Sequence, residues 1–305
     1  MQMYFKDLWW SFLLIALGSY FIGNINFAVI ISRSKNKDIR NMGSGNPGTL
    51  NMSRQFGLKF GVLTLILDIL KGAVPTLVAT LVYREMTFGD SHLAVSEMAQ
   101  YLAGFFAVLG HIFPAIYKFK GGKGIATTIG VFLVTEPIVT LIFAIIAIIY
   151  ILVKEIGSIG SFIATAPPAV VAVIRLYYDG FAKEPNFEYG LTFFAVADLL
   201  VLGIILLTWL AHRKNIIRLL EGEEHQTGWM KAIRDMKIKS KAKRAAKKYG
   251  GELPSPERDE NNLSYDGGIC GENEKASPEN SEDDGASEAE NDKADNGEKT
   301  KEKNR

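Results

Sequence analysis

Lysine and glycine alternate through Lys118-Phe119-Lys120-Gly121-Gly122-Lys123-Gly124, directly before an apolar run that opens Ile125-Ala126-Thr127-Thr128. Glycines let a backbone approach a ligand closely and leave its N–H groups unhindered. A helix start adds free N–H groups and the positive end of a dipole, and lysine adds a full charge. The chemistry these residues suit is phosphate binding, with Lys120, Gly121, Gly122, Lys123 and Gly124 as candidates. The spacing is not that of a Walker A loop. A positive-inside anchor explains the lysines but not three glycines among them.

Two other stretches have matching chemistry. The earlier one reads Gly43-Ser44-Gly45-Asn46-Pro47-Gly48-Thr49-Leu50-Asn51, followed by Arg54. Gly45 and Gly48 offer backbone N–H groups, and Ser44, Asn46, Asn51 and Arg54 add side-chain donors that suit an anion. Taken alone, the same string also describes an ordinary turn-rich connector. The later stretch is Ala211-His212-Arg213-Lys214-Asn215-Ile216-Ile217-Arg218. On a continuing helix His212 and Asn215 stand three apart and share a face. His111 precedes the lysine-glycine run, and Ser158 and Ser161 open a further apolar segment. Asp68 and Lys71, also three apart, fall inside an apolar segment, where charges are costly and normally paired; a mutual ion pair is expected there.

These motifs sit between apolar segments long enough to cross a bilayer, which takes roughly 20 residues per helix. The segments are Leu8–Ile31, Phe60–Val82, Met98–Tyr117, Ile159–Tyr178 and Leu191–Ala211. The run from Ile125 to Val153 is too long for one span, and Glu136-Pro137 divides it, because proline disfavours helix through the preceding residue. The division gives a short span, Ile125–Val134, and a full one, Pro137–Val153. The expected fold is an all-α integral membrane protein of seven transmembrane helices, with six as the alternative count. Lysine and arginine accumulate on the cytoplasmic side of membrane proteins. The loops carrying Arg33 to Lys59 and Lys118 to Lys123, and the flank starting at Arg213, are basic, whereas 83–97 and 179–190 are not. Seven spans put all the basic flanks on one face, with the N-terminus outside and the C-terminus cytoplasmic.

The net charge of +1 averages two opposite regions. Residues 1–224 form the membrane domain. Residues 225–250 are a basic juxtamembrane segment, read either as a helix on anionic lipid headgroups or as a solvated linker. Residues 251–305 are an acidic tail too poor in large apolar side chains to fold, expected to be disordered. The single cysteine, Cys270, lies in that tail, which excludes a disulfide framework and a cysteine metal cluster within the chain.

Taken together, the motifs resemble the bacterial membrane glycerol-3-phosphate acyltransferases that use acyl phosphate, the PlsY family. The resemblance rests on Ser44-Gly45-Asn46-Pro47-Gly48 with Asn51 and Arg54, and on Gly110-His111-x-Phe113-Pro114 with Phe119 to Gly124. It also rests on His212-x-x-Asn215-x-x-Arg218-Leu219-Leu220-x-Gly222-x-Glu224. It implies transfer of a fatty acyl group from acyl phosphate to the sn-1 hydroxyl of glycerol 3-phosphate, giving lysophosphatidic acid and phosphate, the first acylation of phospholipid synthesis. The site would face the cytoplasm from the cell (inner) membrane, with no cofactor, metal or nucleic acid. Ser44, Asn46, Arg54, Lys123 and the glycine N–H groups would hold the phosphates, with His212 and Asn215 orienting the acceptor. Either His212 or a phosphate oxygen of the donor would take the hydroxyl proton. One departure stands out: the family has Ala-Thr where this chain has Thr49-Leu50, and one residue on a helix is a rotation of about 100°. A carrier for a phosphorylated molecule and a membrane scaffold are the competing classes.

Overall fold

The computed structural model describes residues 2–3, 5–88, 94–182, 187–224 and 226–248. All of them belong to one unit, Met1–Leu253, and the second unit, Pro254–Arg305, lies outside the described residues, as does the expected disorder after residue 250. Helices α1 (Phe5–Asn24) and α2 (Phe27–Arg33) are separated at Ile25-Asn26, where the Asn26 side chain caps α2 by accepting from Val29 N at 3.1 Å. Then follow α3 (Thr49–Phe56), α4 (Leu58–Tyr83), α5 (Val95–Ile112), α6 (Ile125–Thr135) and α7 (Pro137–Lys154). The rest are α8 (Gly157–Ala182), α9 (Phe187–Ala211), α10 (Arg213–Leu220) and α11 (Trp229–Lys248). The all-α expectation needs one small amendment, a two-residue parallel pairing of Gln2–Met3 with Thr87–Phe88.

Every apolar segment read from the sequence is helical over most of its length, though Leu8–Ile31 breaks at Ile25-Asn26 and Met98–Tyr117 leaves α5 after Ile112. By length and composition five helical stretches can cross a membrane, and α9 with α10, bent by 59°, makes a sixth. Helix α6, with 11 residues, is too short to cross alone. It ends where the sequence says it should. Glu136 takes φ −134° and ψ 61°, and Pro137 occupies the first position of α7, where its missing N–H and fixed φ suit a helix start. The Glu136 carboxylate accepts from Tyr101 Oη at 3.2 Å and pairs with Arg175 Nε at 2.9 Å, and Arg175 also reaches Glu97 at 2.9 Å. The break is thus clamped to α5 and α8.

Helix α5 is the axis of the bundle, packed by α1, α4 and α9. Where α4 crosses α6, a Cβ on Gly130 would overlap the carbonyl of Ile69, and one on Gly72 that of Thr127. Small residues of this kind let transmembrane backbones touch. Asp68 and Lys71 of α4 form the expected pair at 3.0 Å, and Lys71 Nζ also donates to the carbonyl of Ile25 at 2.9 Å, in the α1–α2 break. Outward faces are apolar: on α7, Ile138, Leu141, Ile142, Ile145 and Ile149 are exposed, and only Thr140 and Ala147 are buried. An exposed apolar surface this continuous is one that lipid covers.

Candidate active site

The loops that carry the motifs gather at one end of the bundle around a cavity with about 1350 Å³ of empty space, its open mouth included. The first wall is the segment before α3. Gly43 and Gly45 have φ of +56° and +69°, the left-handed region that glycine enters without strain. The Asn51 side chain organises the segment: its Oδ1 accepts from Ser44 N at 3.2 Å, and its Nδ2 donates to the carbonyls of Met42 at 2.9 Å and Ile39 at 3.4 Å. Asn51, expected as a ligand group, lines the cavity but its amide is engaged in shaping this loop. Ser44, Asn46, Gly48 and Arg54 line the cavity, and Gly45 does not.

The lysine-glycine run divides between packing and site. Gly121 N donates to the carbonyl of Ile112 and Gly122 N to that of His111, each at 3.2 Å, so these two N–H groups end α5 instead of standing free for an anion. A Cβ on either glycine would overlap His111. The expectation that both N–H groups cradle phosphate is therefore corrected: these glycines are small so that the loop can fold onto α5. Lys120 is exposed and outside the cavity lining. Lys123 and Gly124 do line it, and Gly124, with φ +85°, starts α6 and turns its first N–H groups toward the same end. His111 is buried in the lining, with Nδ1 3.9 Å from Asp68 Oδ1.

At the third wall the continuing helix expected through His212 is interrupted. His212 takes φ −91° and ψ 1°, and α10 leaves α9 at a bend of 59°. The bend carries α10 across the end of the bundle and still leaves His212, Asn215 and Arg218 in the lining. Asn215 joins the walls. Lys123 Nζ donates to its Oδ1, while its Nδ2 donates to Glu224 Oε1 at 2.9 Å. Ser158 Oγ, at the start of α8, donates to the same carboxylate oxygen at 2.6 Å, and Arg218 Nε lies 3.8 Å from Glu224 Oε2. Ser161 also lines the cavity, its hydroxyl donating to the carbonyl of Gly157 at 2.9 Å.

Electrostatics follow from this burial. Lys123 is brought down to about 8, first by burial, with Arg218 and Arg54 acting in the same direction and Glu224 against it. His212, beyond the end of α9, is brought down to about 4 by burial and by the charge of Lys123. Its Nδ1 lies 2.8 Å from the carbonyl of Thr208, which can only accept. The proton therefore sits on Nδ1, and Nε2 of the neutral ring is left as an acceptor. Burial likewise lowers Arg54.

Away from this polar pole the lining becomes apolar: Leu65 and Ile69 of α4, Ile129 of α6, Ala144, Ile148 and Ile151 of α7, and Ala164 of α8. Leu50 and Thr49 both line the cavity from the first turn of α3. Glu224 stands in the third motif with nothing in the sequence to mark its role, and Asn215 and Ser158 both donate to it. Trp229, also in the lining, carries no motif that could have pointed to it.

A helical bundle with an apolar exterior, whose cation-rich chamber opens into an apolar groove, is an integral membrane protein fitted to hold an anionic group beside a hydrocarbon chain. Residues 13–222 match the family model described as glycerol-3-phosphate acyltransferase. The chain is 35% identical to a glycerol-3-phosphate acyltransferase of Aquifex aeolicus over 214 residues, 70% of this chain and 98% of the relative. It is 36% identical to that of Finegoldia magna over 218 residues, 70% and 96% of the two chains. A crystal structure of PlsY (YgiH), an integral membrane glycerol 3-phosphate acyltransferase in its glycerol 3-phosphate form, superposes with a TM-score of 0.58 at 32% identity, covering 73% of this chain and 98% of that one. Its lysophosphatidic acid form gives 0.53. The chain belongs to the glycerol-3-phosphate acyltransferase family, integral membrane acyltransferases of lipid biosynthesis.

Proposed function

We propose that this acyltransferase takes its acyl group from acyl phosphate and places it on the sn-1 hydroxyl of glycerol 3-phosphate, releasing lysophosphatidic acid and phosphate. The observation that carries the proposal is the continuity of the cavity, from a pole holding Lys123, Asn215, Arg218 and His212 to a groove of aliphatic side chains between α4, α6, α7 and α8. A mixed anhydride with a long chain presents those two surfaces in that order. Its phosphate would meet Lys123, Ser44, Asn46 and the start of α6, with Arg54 adding charge, and its chain would lie along Ile129, Ile148 and Ile151. Asn215, Ser158 and His212 would hold the acceptor.

In the reaction the sn-1 oxygen attacks the acyl carbonyl carbon, the carbon–oxygen bond to phosphate breaks, and the hydroxyl proton passes to the departing phosphate. Burial disfavours the charged form of the ring, so it is a poor proton acceptor here, and the phosphate that departs as the carbon–oxygen bond breaks takes the proton. His212 Nε2 then accepts the hydroxyl hydrogen bond and aims the oxygen without removing the proton. Positioning and charge neutralisation supply the rate.

The basic loops around the site support a topology of seven spans with the site and C-terminus cytoplasmic and the N-terminus outside, in the cell membrane. Helix α6 counts in it as a short span. Helix α11, with Lys231, Arg234, Lys237, Lys241 and Lys248 among its residues, suits anionic lipid headgroups. Purified protein given synthetic palmitoyl phosphate and glycerol 3-phosphate tests the reaction: lysophosphatidic acid and phosphate form in equal amounts, and palmitoyl coenzyme A gives no product. Folded protein that makes nothing from palmitoyl phosphate overturns the donor assignment.

A further inference from the structure

The family match ends at residue 222, and the alignments already span nearly the whole length of the relatives. Beyond that limit the chain does not leave the site. Gln226 and Thr227 are bonded on both sides of it. On one side Arg54 of α3 donates through Nη2 to the carbonyl of Gln226 at 2.7 Å and through Nε to that of Thr227 at 3.2 Å. On the other, Thr227 N donates to the carbonyl of Glu155 at 2.8 Å, Gln226 bridges to Ile156, and Met230 N donates to Glu155 Oε1 at 3.2 Å. Both Arg54 and Gly157, the residue after that turn, line the cavity, and so does Trp229. Residues 226–229 are therefore a strap from one bank of the cavity to the other.

Its seat includes Leu50 of α3 and Gly157 of α8. A Cβ on Gly157 would stand 2.6 Å from Leu50 Cδ1 and 3.4 Å from Thr227 Cγ2, so the isobutyl group of Leu50 and the fully buried Thr227 crowd the same face of that glycine. The isobutyl group of Leu50 gives the strap an apolar surface to pack on. Trp229 Nε1 is buried without a hydrogen-bond partner, a donor that only a polar group brought to it could satisfy.

We propose that Gln226–Trp229 covers part of the mouth of the acyl-transfer cavity and shields the reacting carbonyl from water, and that Trp229 thereby decides whether the acyl group goes to glycerol 3-phosphate or to water. The inference rests on the acyl-phosphate reading above. With that donor the choice has chemical content. Water attacking the same carbonyl carbon would break the same carbon–oxygen bond, with its proton passing to the departing phosphate, and would yield free fatty acid in place of lysophosphatidic acid. The indole is a wide, rigid, apolar cover for such a site. Arg54 acts on this choice as a positioning residue, through the two carbonyls that it holds.

The test measures how palmitoyl phosphate partitions between fatty acid and lysophosphatidic acid, with and without glycerol 3-phosphate, in full-length wild type, Trp229→Ala and Trp229→Phe. W229A is expected to raise the ratio of fatty acid to lysophosphatidic acid about tenfold, and W229F, which keeps a ring in place, to stay within about twofold. An unchanged ratio in W229A, or an equal rise in W229F, overturns the proposal. A second readout needs no activity: binding of a hexadecyl phosphonate should shift tryptophan emission in wild type and not in W229F, where Trp9, Trp10 and Trp209 remain. An identical shift in both proteins removes Trp229 from the donor's surroundings. Failure of the donor assignment itself looks different, because wild type would then give neither product.

Discussion

The Nδ1 of His212 lies 2.8 Å from the carbonyl oxygen of Thr208, one turn earlier in the chain. That bond fixes the tautomer and aims Nε2 as an acceptor, and burial keeps the ring neutral at physiological pH. His212→Gln should lower kcat by about tenfold, short of the roughly 10²–10⁴ that loss of a general base brings. The pH dependence of kcat/KM should match that of wild type between pH 5 and about 8. Disappearance of an acidic limb in the variant would show the histidine to be the base after all.

Lys123 sets the alkaline limit. Its charge is present below about 8 and is lost as pH rises through that value, so affinity for a phosphate-bearing substrate should fall with a single proton above about 8. Lys123→Arg should move that limb beyond pH 9, because guanidinium does not deprotonate in this range. Lys123→Met should reduce kcat/KM by about 10²–10³, the loss typical when one preorganised donor to developing charge is removed. Steady-state rates from pH 6 to 10 read all three.

Asn215 links the ammonium of Lys123 to the carboxylate of Glu224 through opposite ends of one amide. Asn215→Asp would face Glu224 with a second carboxylate and lose the donor between them. Activity should drop about a hundredfold and be partly restored by adding Glu224→Gln, with a coupling energy of roughly 1–3 kcal/mol in the double-mutant cycle. Strict additivity of the two changes would deny the linkage.

Gly130 meets the carbonyl of Ile69 where α6 crosses α4. Gly130→Ala must push the two helices apart at backbone contact and should lower stability by about 1–3 kcal/mol, read as a fall in the midpoint of thermal unfolding in detergent. A midpoint equal to wild type would mean that the crossing is looser than described.

Much of this molecule is legible in its sequence, and the exceptions share a cause. Apolar length gives the helices, and Pro137 gives the α6–α7 division to the residue, because the missing N–H and the constraint on Glu136 act locally. The ion pair of Asp68 and Lys71 follows from the cost of unpaired charge among apolar neighbours. Gly121 and Gly122 are ambiguous in the sequence because a glycine that offers its N–H and a glycine that makes room look alike in one dimension. Only the neighbouring end of α5 decides between them. His212 reads as part of a continuing helix because nothing in Ala211-His212-Arg213 breaks one, whereas the chain bends there by 59°. Glu224 accepts from Ser158, 66 residues earlier, and nothing in the sequence pairs the two.

Helix α6 carries Lys123 and Gly124 at its start and Glu136 at its finish, and none of its 11 residues is exposed. At 1.5 Å per residue it is a strut of about 16 Å, roughly half the hydrocarbon thickness of a bilayer. Its far end is pinned by Arg175 and Tyr101 and its middle is locked against α4. Every residue of this helix is at least partly covered by the rest of the bundle. The depth at which the lysine works is therefore measured from a ruler inside the protein, so a thicker or thinner membrane alters how the bundle tilts and leaves the distance between charge and groove unchanged.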